Sequence, residues 1–336
     1  MRYRQILIVQ TAFIGDVILA TGLIEKLHQH FPEADIDFAL RKGNESLLKN
    51  HPILREVHVW DKKGGKYRNL WRLIKKVRSI RYDLVVNIQR FANSGMLTAF
   101  SGAKETIGFD KNPFSWRFSQ KIKHRIEPGV HEIARNHDLV SALTDEKPKA
   151  PKLYPTPADF EKVKPYTDKP YVCMAPASVW FTKQYPKEKW IELIKALPSD
   201  LTIYLLGAPG DKALCDEIAA PFPNLDVQNL CGELNLLQSA ALMKSAVLSY
   251  VNDSAPMHLA SSVNANTCAI FCSTSPEFGF GPLSEFSEVV EVSEKLDCKP
   301  CGLHGKKACP QGHFKCGYDI DTRKLTALFE RAYTEQ

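Results

Sequence analysis

A carboxylate set just past the end of a buried strand is the first group in this sequence that could do chemistry. In residues 6–22, ILIVQTAFIGDVILATG, Ile6 to Val9 form an unbroken apolar run that suits a central parallel strand covered on both faces. Gly15 permits a close backbone approach, and Asp16 falls in the first turn of a helix continued by Val17, Ile18, Leu19, Leu23, Ile24 and Leu27. Ligands of open α/β sheets bind at that place, beyond the carboxyl end of a strand. Asp16 can complement the helix dipole there or serve as a general base, and the local pattern does not choose between them. The run lacks GxGxxG spacing, so it is not read as a dinucleotide turn.

Three later turns have the same form. After the apolar run 171–175, Ala177 and Ser178 offer N–H and hydroxyl donors and Lys183 a compact positive charge, a set that could hold a phosphate. After 201–206 comes GAPGD, in which Gly207 permits close approach and Asp211 could accept from a ribose hydroxyl. After 246–251, Asp253, Ser254 and Ala255 stand at the start of a helix opened by Pro256, where free N–H groups favour an anion. Each turn also has a structural reading: Ser178 as a cap, Lys183 as a solvated charge, Asp253 with Ser254 as an ordinary N-cap pair. The recurrence of all three in one half of the chain favours a ligand.

The elements that must position these groups follow from periodicity. Strands are expected at 5–10, 35–40, 56–60, 83–88 and 104–108, alternating with helices near 15–30, 43–50, 68–80, 93–101 and 130–144. The second half repeats the rhythm, with strands at 171–175, 201–206, 246–251 and 267–272, helices near 187–197, 211–220, 236–244 and 256–262, and a last helix at 321–334. Pro148, Pro151, Pro155, Pro157, Pro165 and Pro170 interrupt both halves. The expectation is an α/β protein of two doubly wound domains facing a cleft: 1–150, a linker 151–170, and 171–320 with a cysteine-rich segment 297–317, closed by a helical tail 321–336.

The chain has 336 residues, 44% hydrophobic and 24% charged, as befits a soluble enzyme. It shows no run of about 18 apolar residues and no signal-peptide pattern, so a cytoplasmic location is expected. Residues 1–150 carry 26 Lys or Arg against 16 Asp or Glu, whereas the remainder carries 18 against 22. Such opposite balances suggest that the first domain faces something anionic.

The combination of IGDVILATGLI near the N-terminus, FTKQYPKEKW, and VNDSAPMHLA followed by FCSTSPEFGFGP resembles the ADP-heptose:lipopolysaccharide heptosyltransferases of glycosyltransferase family 9, in order and spacing over almost the whole chain. The resemblance implies a GT-B fold, with acceptor on the N-terminal and nucleotide sugar on the C-terminal domain. It further implies an inverting, metal-independent transfer of heptose from ADP-heptose to the inner core of lipopolysaccharide. Carried over by position, Asp16 matches the proposed base, and Ser178 and Lys183 match groups contacting the donor diphosphate. Asp253, Ser254, Ala255 and His258 match the second phosphate and sugar loop. The family often has glycine where Ala255 stands, which bears on donor pose or identity. Asp211 stands where relatives tend to have a glutamate. No catalytic cofactor is implied.

Beside Gly15, the acceptor candidates on the first domain are Gln89, Arg90, Lys111, Arg117 and Lys121, expected on loops after strands. From Lys62 to Arg81 there are nine Lys or Arg and no acid, with Leu70, Leu73, Ile74, Val77 and Ile80 at helical spacing. This is either a solvated helix face or a contact for anionic lipid at the inner face of the inner membrane. Cys298, Cys301, Cys309 and Cys316, with His304 and His313 between them, have the spacing of a structural zinc knuckle, reduced thiols or two disulfides being the alternatives. Cys173, Cys215, Cys231, Cys268 and Cys272 read as small core residues. Two rivals remain open: a transferase or epimerase of this fold using another nucleotide sugar, and a basic nucleic-acid-binding protein with a zinc knuckle, against which stand only two aromatics, Tyr67 and Trp71, in the patch.

Overall fold

The computed structural model describes residues 3–335 and divides into two compact units, Met1–Tyr154 and Pro155–Gln336. In the first unit six parallel strands run β1 (Gln5–Val9), β2 (Asp35–Arg41), β3 (Leu54–Trp60), β4 (Leu84–Asn87), β5 (Glu105–Phe109) and β6 (Gln120–Ile122). Helices α1 (Ile14–His30), α2 (Lys66–Ile80), α3 (Ala92–Ala99) and α4 (Glu132–Asp138) complete it. The sheet order is β3-β2-β1-β4-β5-β6. Topology therefore reverses between β1 and β4, and a crevice opens at their carboxyl ends.

The second unit begins with α5 (Pro157–Val163) and contains strands β7 (Tyr171–Ala175), β8 (Thr202–Leu205), β9 (Val227–Asn229), β10 (Leu248–Asn252), β11 (Thr267–Phe271) and β12 (Ser287–Glu291). Its other helices are α6 (Lys187–Ala196), α7 (Lys212–Ala219), α8 (Leu236–Lys244), α9 (Ala255–Ser262), α10 (Lys315–Tyr318) and α11 (Thr322–Thr334). The order β12-β11-β10-β7-β8-β9 puts this reversal between β7 and β10. The four central strands, β1, β4, β7 and β10, are mostly apolar and are buried except for β1's first residue, as strands covered on both faces must be.

Several expected elements differ. The three unexpected strands, β6, β9 and β12, are sheet edges that are short and only partly buried, so no apolar run marks them. The helix expected at 43–50 is a 3-10 turn, Glu45–Leu48, bracketed by positive φ at Gly43 and Asn50. The stretch 130–144 splits into α4 and a 3-10 turn at Ser141–Leu143. The proline-rich segment is not all linker. Residues 151–154 stay with the first unit, where Lys152 N–H donates to Thr21 Oγ1 at 2.8 Å. Pro157 opens α5, with Thr156 and Asp159 forming a reciprocal capping box.

The apolar stripe of α2 packs on the first sheet: Leu70, Leu73, Ile74 and Val77 join Leu7, Val9, Trp60 and Val85 in one core cluster. Burial of each contributes roughly 1.5–3 kcal/mol, which holds the basic face outward. No helix among the described residues is long and apolar enough to cross a membrane.

At the opposite end of the first sheet from the crevice lies a buried polar knot. Asp37 is fully buried, and Arg55 holds it with Nε–Oδ1 at 3.0 Å and Nη2–Oδ2 at 2.5 Å while Tyr82 also donates to it. Burial alone pushes the Asp37 carboxyl up, but hydrogen bonds from His58, Arg55 and Tyr82 and the Arg55 charge outweigh it and hold it at about 2. Because this lies below the ordinary 3.8, the contribution to stability is full above about pH 4 and is lost as pH falls through about 2. Asp37→Asn is expected to lose about 2 kcal/mol at pH 7 in urea unfolding, the gap to the parent closing between pH 4 and 2. A gap independent of pH contradicts this.

Candidate active site

On the first unit, the loop Gln10–Phe13 leads from β1 into α1. Asp16 is the third residue of α1, and its Oδ2 accepts from the Phe13 N–H at 3.1 Å. The carboxylate therefore caps its helix while standing half-exposed at the sheet's reversal point. Gly15 lies within the helix, so the turn itself is made by the residues before it. Gln89 is buried, and its Oε1 accepts from Thr11 N–H at 3.1 Å and Thr11 Oγ1 at 2.7 Å. It ties the loop after β4 to the loop after β1.

The remaining acceptor candidates sort into two groups. Arg90 and Lys111 are exposed and act on a common neighbourhood. Burial first, then the charges of Arg90, Lys111 and Arg135, hold the His124 imidazole down at about 4. Glu132, on α4, is raised by burial and by Asp16, against the opposing charges of Arg135 and Arg90. Arg135 is buried and grips Glu132 at 2.7 Å and 2.8 Å. Asp16, Glu132, Arg135 and Arg90 thus belong to one electrostatic cluster. Arg117, by contrast, lies over the rings of Phe100 and Trp116 at 5.2 Å and 5.4 Å. Lys121 lies within edge strand β6, not on a loop, so the expected loop placement is corrected for it.

Sequence reasoning missed Glu132 and Arg135, and also a cation pair above the β1 loop. Lys62 Nζ donates to Thr11 O at 2.8 Å, and Arg41 lies 4.7 Å from the Phe13 ring centroid. Burial, then the charges of Arg41 and Lys66, lower the Lys62 pKa, which marks local crowding of positive charge. Lys62 was visible only as part of a basic run. Arg41, just after β2's apolar residues, had position as its signal.

On the second unit, the loops after β7 and β10 meet at the reversal point. Lys183 ends the 3-10 turn Phe181–Lys183, and its Nζ lies 2.7 Å from Asp253 Oδ2. Thr274 Oγ1 donates to the same oxygen at 2.6 Å. Asn252 fastens the two loops: its Nδ2 donates to Pro176 O at 2.7 Å and its Oδ1 accepts from Tyr185 N–H at 2.9 Å. An ionised carboxylate only accepts, so Asp253 cannot itself hydrogen-bond a phosphate oxygen; its place is to orient Lys183 and Thr274. Ser254 precedes α9, but its hydroxyl reaches back to Asn252 O at 3.4 Å and does not cap the helix. Ala255 and Pro256 form the first turn of α9, and His258 is buried there with its ring against Phe280. Ala177 and Ser178 lie half-exposed on the loop after β7, and Gln184 Nε2 donates to Ser178 O at 2.7 Å.

The GAPGD loop is more self-contained. Asp211 Oδ2 accepts from its own turn's Ala208 N–H at 2.8 Å. A Cβ at Gly207 would meet Cys231 Sγ at 2.8 Å and Asp211 Cβ at 2.9 Å, so glycine there serves packing.

All nine cysteines are free thiols, and Cys173, Cys215, Cys231, Cys268 and Cys272 are buried in the core, as expected of small apolar residues. Cys298 Sγ approaches His313 Nε2 at 4.0 Å, and Cys301 Sγ donates to Cys298 O at 3.2 Å. Among the described residues, Asp37, Glu56 and His58 are the group whose potential ligand atoms all lie within 4.8 Å of one another, and Arg55 already occupies the Asp37 carboxylate. The knuckle thiols are not drawn into a cage of that size, whereas bonds of about 2.3 Å to tetrahedral zinc require it.

The arrangement can therefore supply a positioned carboxylate on one unit and, on the other, a held ammonium beside a helix start. The sequence model of glycosyltransferase family 9 (heptosyltransferase) matches residues 70–313. Lipopolysaccharide heptosyltransferase 3 of Escherichia coli is 27% identical over 277 residues, covering 78% of this chain and 82% of that protein. Lipopolysaccharide heptosyltransferase 1 of Pseudomonas aeruginosa is 24% identical over 331 residues, covering 91% and 87%. Among solved structures, a family 9 glycosyltransferase from Veillonella parvula superposes with a TM-score of 0.85 at 21% identity, covering 100% of this chain and 99% of that one. Escherichia coli heptosyltransferase WaaC with ADP gives 0.76 at 17% identity, covering 98% and 99%. The fold is that of GT-B heptosyltransferases, two parallel six-stranded sheets flanked by helices. With the family model matching well over half its length, the chain belongs to glycosyltransferase family 9, the heptosyltransferases, and is a glycosyltransferase.

Proposed function

We propose that this enzyme moves a heptose from ADP-heptose to the inner core of a lipopolysaccharide acceptor by a single inverting displacement that uses no catalytic metal. The observation that carries the reading is Lys183, held on Asp253 at 2.7 Å at the second sheet's reversal point, beside the start of α9. Two similar structures contain ADP and ADP-2-deoxy-2-fluoro heptose, and the curated relatives are lipopolysaccharide heptosyltransferases. Membership in an enzyme family removes the support for a nucleic-acid-binding protein; another nucleotide sugar as donor stays the rival.

In this reading the acceptor hydroxyl attacks the anomeric carbon and gives its proton to Asp16. The bond from that carbon to the diphosphate oxygen breaks, and the charge leaving with ADP is met by Lys183 and the N–H groups opening α9. Arg90, Lys111 and Lys62 supply positive charge for the acidic acceptor. Asp16→Ala is expected to lower kcat by roughly 10²- to 10⁴-fold with little change in ADP affinity, measured as ADP release from ADP-heptose with a lipid A core acceptor. Near-parental rates would remove the base assignment. Turnover with a different nucleotide sugar and none with ADP-heptose would remove the heptose.

We assign the protein to the cytoplasmic side of the inner membrane, bound peripherally. Arg68, Arg72, Lys75 and Arg78 are exposed on α2, next to Trp71, whose ring lies 5.8 Å from Phe100, the ring that Arg117 covers. A face mixing aromatic rings with cations suits an anionic lipid surface. Replacing Arg72 and Lys75 by alanine is expected to weaken cosedimentation with phosphatidylglycerol vesicles by about thirtyfold, at roughly 1 kcal/mol per charge. A parent protein that stays in the supernatant would refute the assignment.

The structural zinc is a further proposal, resting on cysteine number and on the Cys298–His313 approach. Metal would draw Cys298, Cys301, Cys309 and Cys316 together. Elemental analysis of protein purified without chelator is expected to show about one zinc per chain; none would discard it.

A further inference from the structure

The cysteine-rich segment is packed directly behind the turn that carries Lys183, a use its composition does not suggest. Thr182, 1% exposed, is the junction. Its N–H donates to Lys306 O at 3.1 Å, and its Oγ1 accepts from Lys306 N–H at 2.8 Å. Ser273 Oγ donates to the same hydroxyl oxygen at 2.9 Å, and Ser273 N–H donates to Thr182 O at 3.2 Å. Ser273 O in turn accepts from Cys301 N–H at 2.8 Å. Gly305 completes the contact: a Cβ there would lie 2.6 Å from Trp180 Cβ and 2.8 Å from Lys183 Cγ.

We propose that Thr182 is a positioning residue for Lys183, clamped between Ser273 and the Gly305–Lys306 backbone so that the ammonium is aimed at the donor's diphosphate. The assignment rests on the donor site described above. A lysine side chain has four rotatable carbons, so a fixed Nζ needs a fixed backbone at its root and a fixed partner at its tip. Asp253 supplies the partner, and Thr182 supplies the root. Thr274, next to Ser273, bonds Asp253, so one short stretch braces both ends of the lysine.

The test measures ADP binding by calorimetry together with steady-state kinetics in the full-length enzyme. Thr182→Val keeps the shape and removes the hydroxyl; it is expected to weaken ADP binding by about tenfold and to raise the donor KM while leaving the acceptor KM unchanged. Thr182→Ser is expected to bind within about threefold of the parent, because the hydroxyl is kept. In a Lys183→Ala background, Thr182→Val is expected to add less than about twofold, since the lysine it positions is gone. Should the valine variant fail to fold, Ser273→Ala removes only one bond to Thr182 and is expected to weaken ADP binding by about threefold with the same dependence on Lys183. A folded Thr182→Val with parental ADP affinity, or an undiminished loss in the Lys183→Ala background, overturns the proposal. If Lys183→Ala alone binds ADP like the parent, the donor reading fails and this proposal with it; if Lys183→Ala is weakened and Thr182→Val is not, this proposal alone fails.

Discussion

A lysine ammonium resting on a buried carboxylate is the interaction on which the proposed donor site of the second unit depends. Neither partner is cheap to bury alone, and the 2.7 Å pair between Lys183 and Asp253 is sustained by Thr274 as a second donor to the same oxygen. The residues come from three loops, after β7, β10 and β11, that a parallel sheet brings to one edge. The strand order puts the first two on either side of the reversal point, where no crossover helix covers the crevice. An anion entering there meets a cation already oriented, so little reorganisation remains to be done as charge develops.

The first unit uses the same topology for the opposite electrostatic purpose. At its reversal point Asp16 shares an electrostatic cluster with Glu132, Arg135 and Arg90, while Arg41 ends β2 and Lys111 follows β5. In the proposed reaction that arrangement suits an acidic acceptor held near the group that takes its proton. The knot of Asp37, Arg55 and Tyr82 lies at the other end of the sheet and belongs to stability, which illustrates why a cluster of buried ionisable groups is not by itself a site.

How much of this was legible in the sequence depends on whether a feature is local. The central strands announce themselves as apolar runs, and α2 as a stripe of Leu70, Leu73, Ile74 and Val77. The edge strands β6, β9 and β12 do not, because a half-exposed Val227-Gln228-Asn229, for one, has no run to show. Asp16, Lys183 and Asp253 could be singled out from their places after strands and from a family resemblance. Their partnerships could not: Lys183 and Asp253 are 70 positions apart, and no periodicity links Thr182 to Lys306. The bond of Gln89 to Thr11 was hidden for the same reason, since it crosses 78 positions. Pro157 looked like a breaker because a proline inside a helix is one; at the first helical position it is a starter.

The account stands most directly on where the diphosphate lies, and a crystal structure of the enzyme with ADP measures that. The account predicts diphosphate oxygens within hydrogen-bonding distance of Lys183 Nζ and of the N–H groups opening α9. Diphosphate density lodged elsewhere on the chain, with Lys183 still engaged only by Asp253, would contradict it.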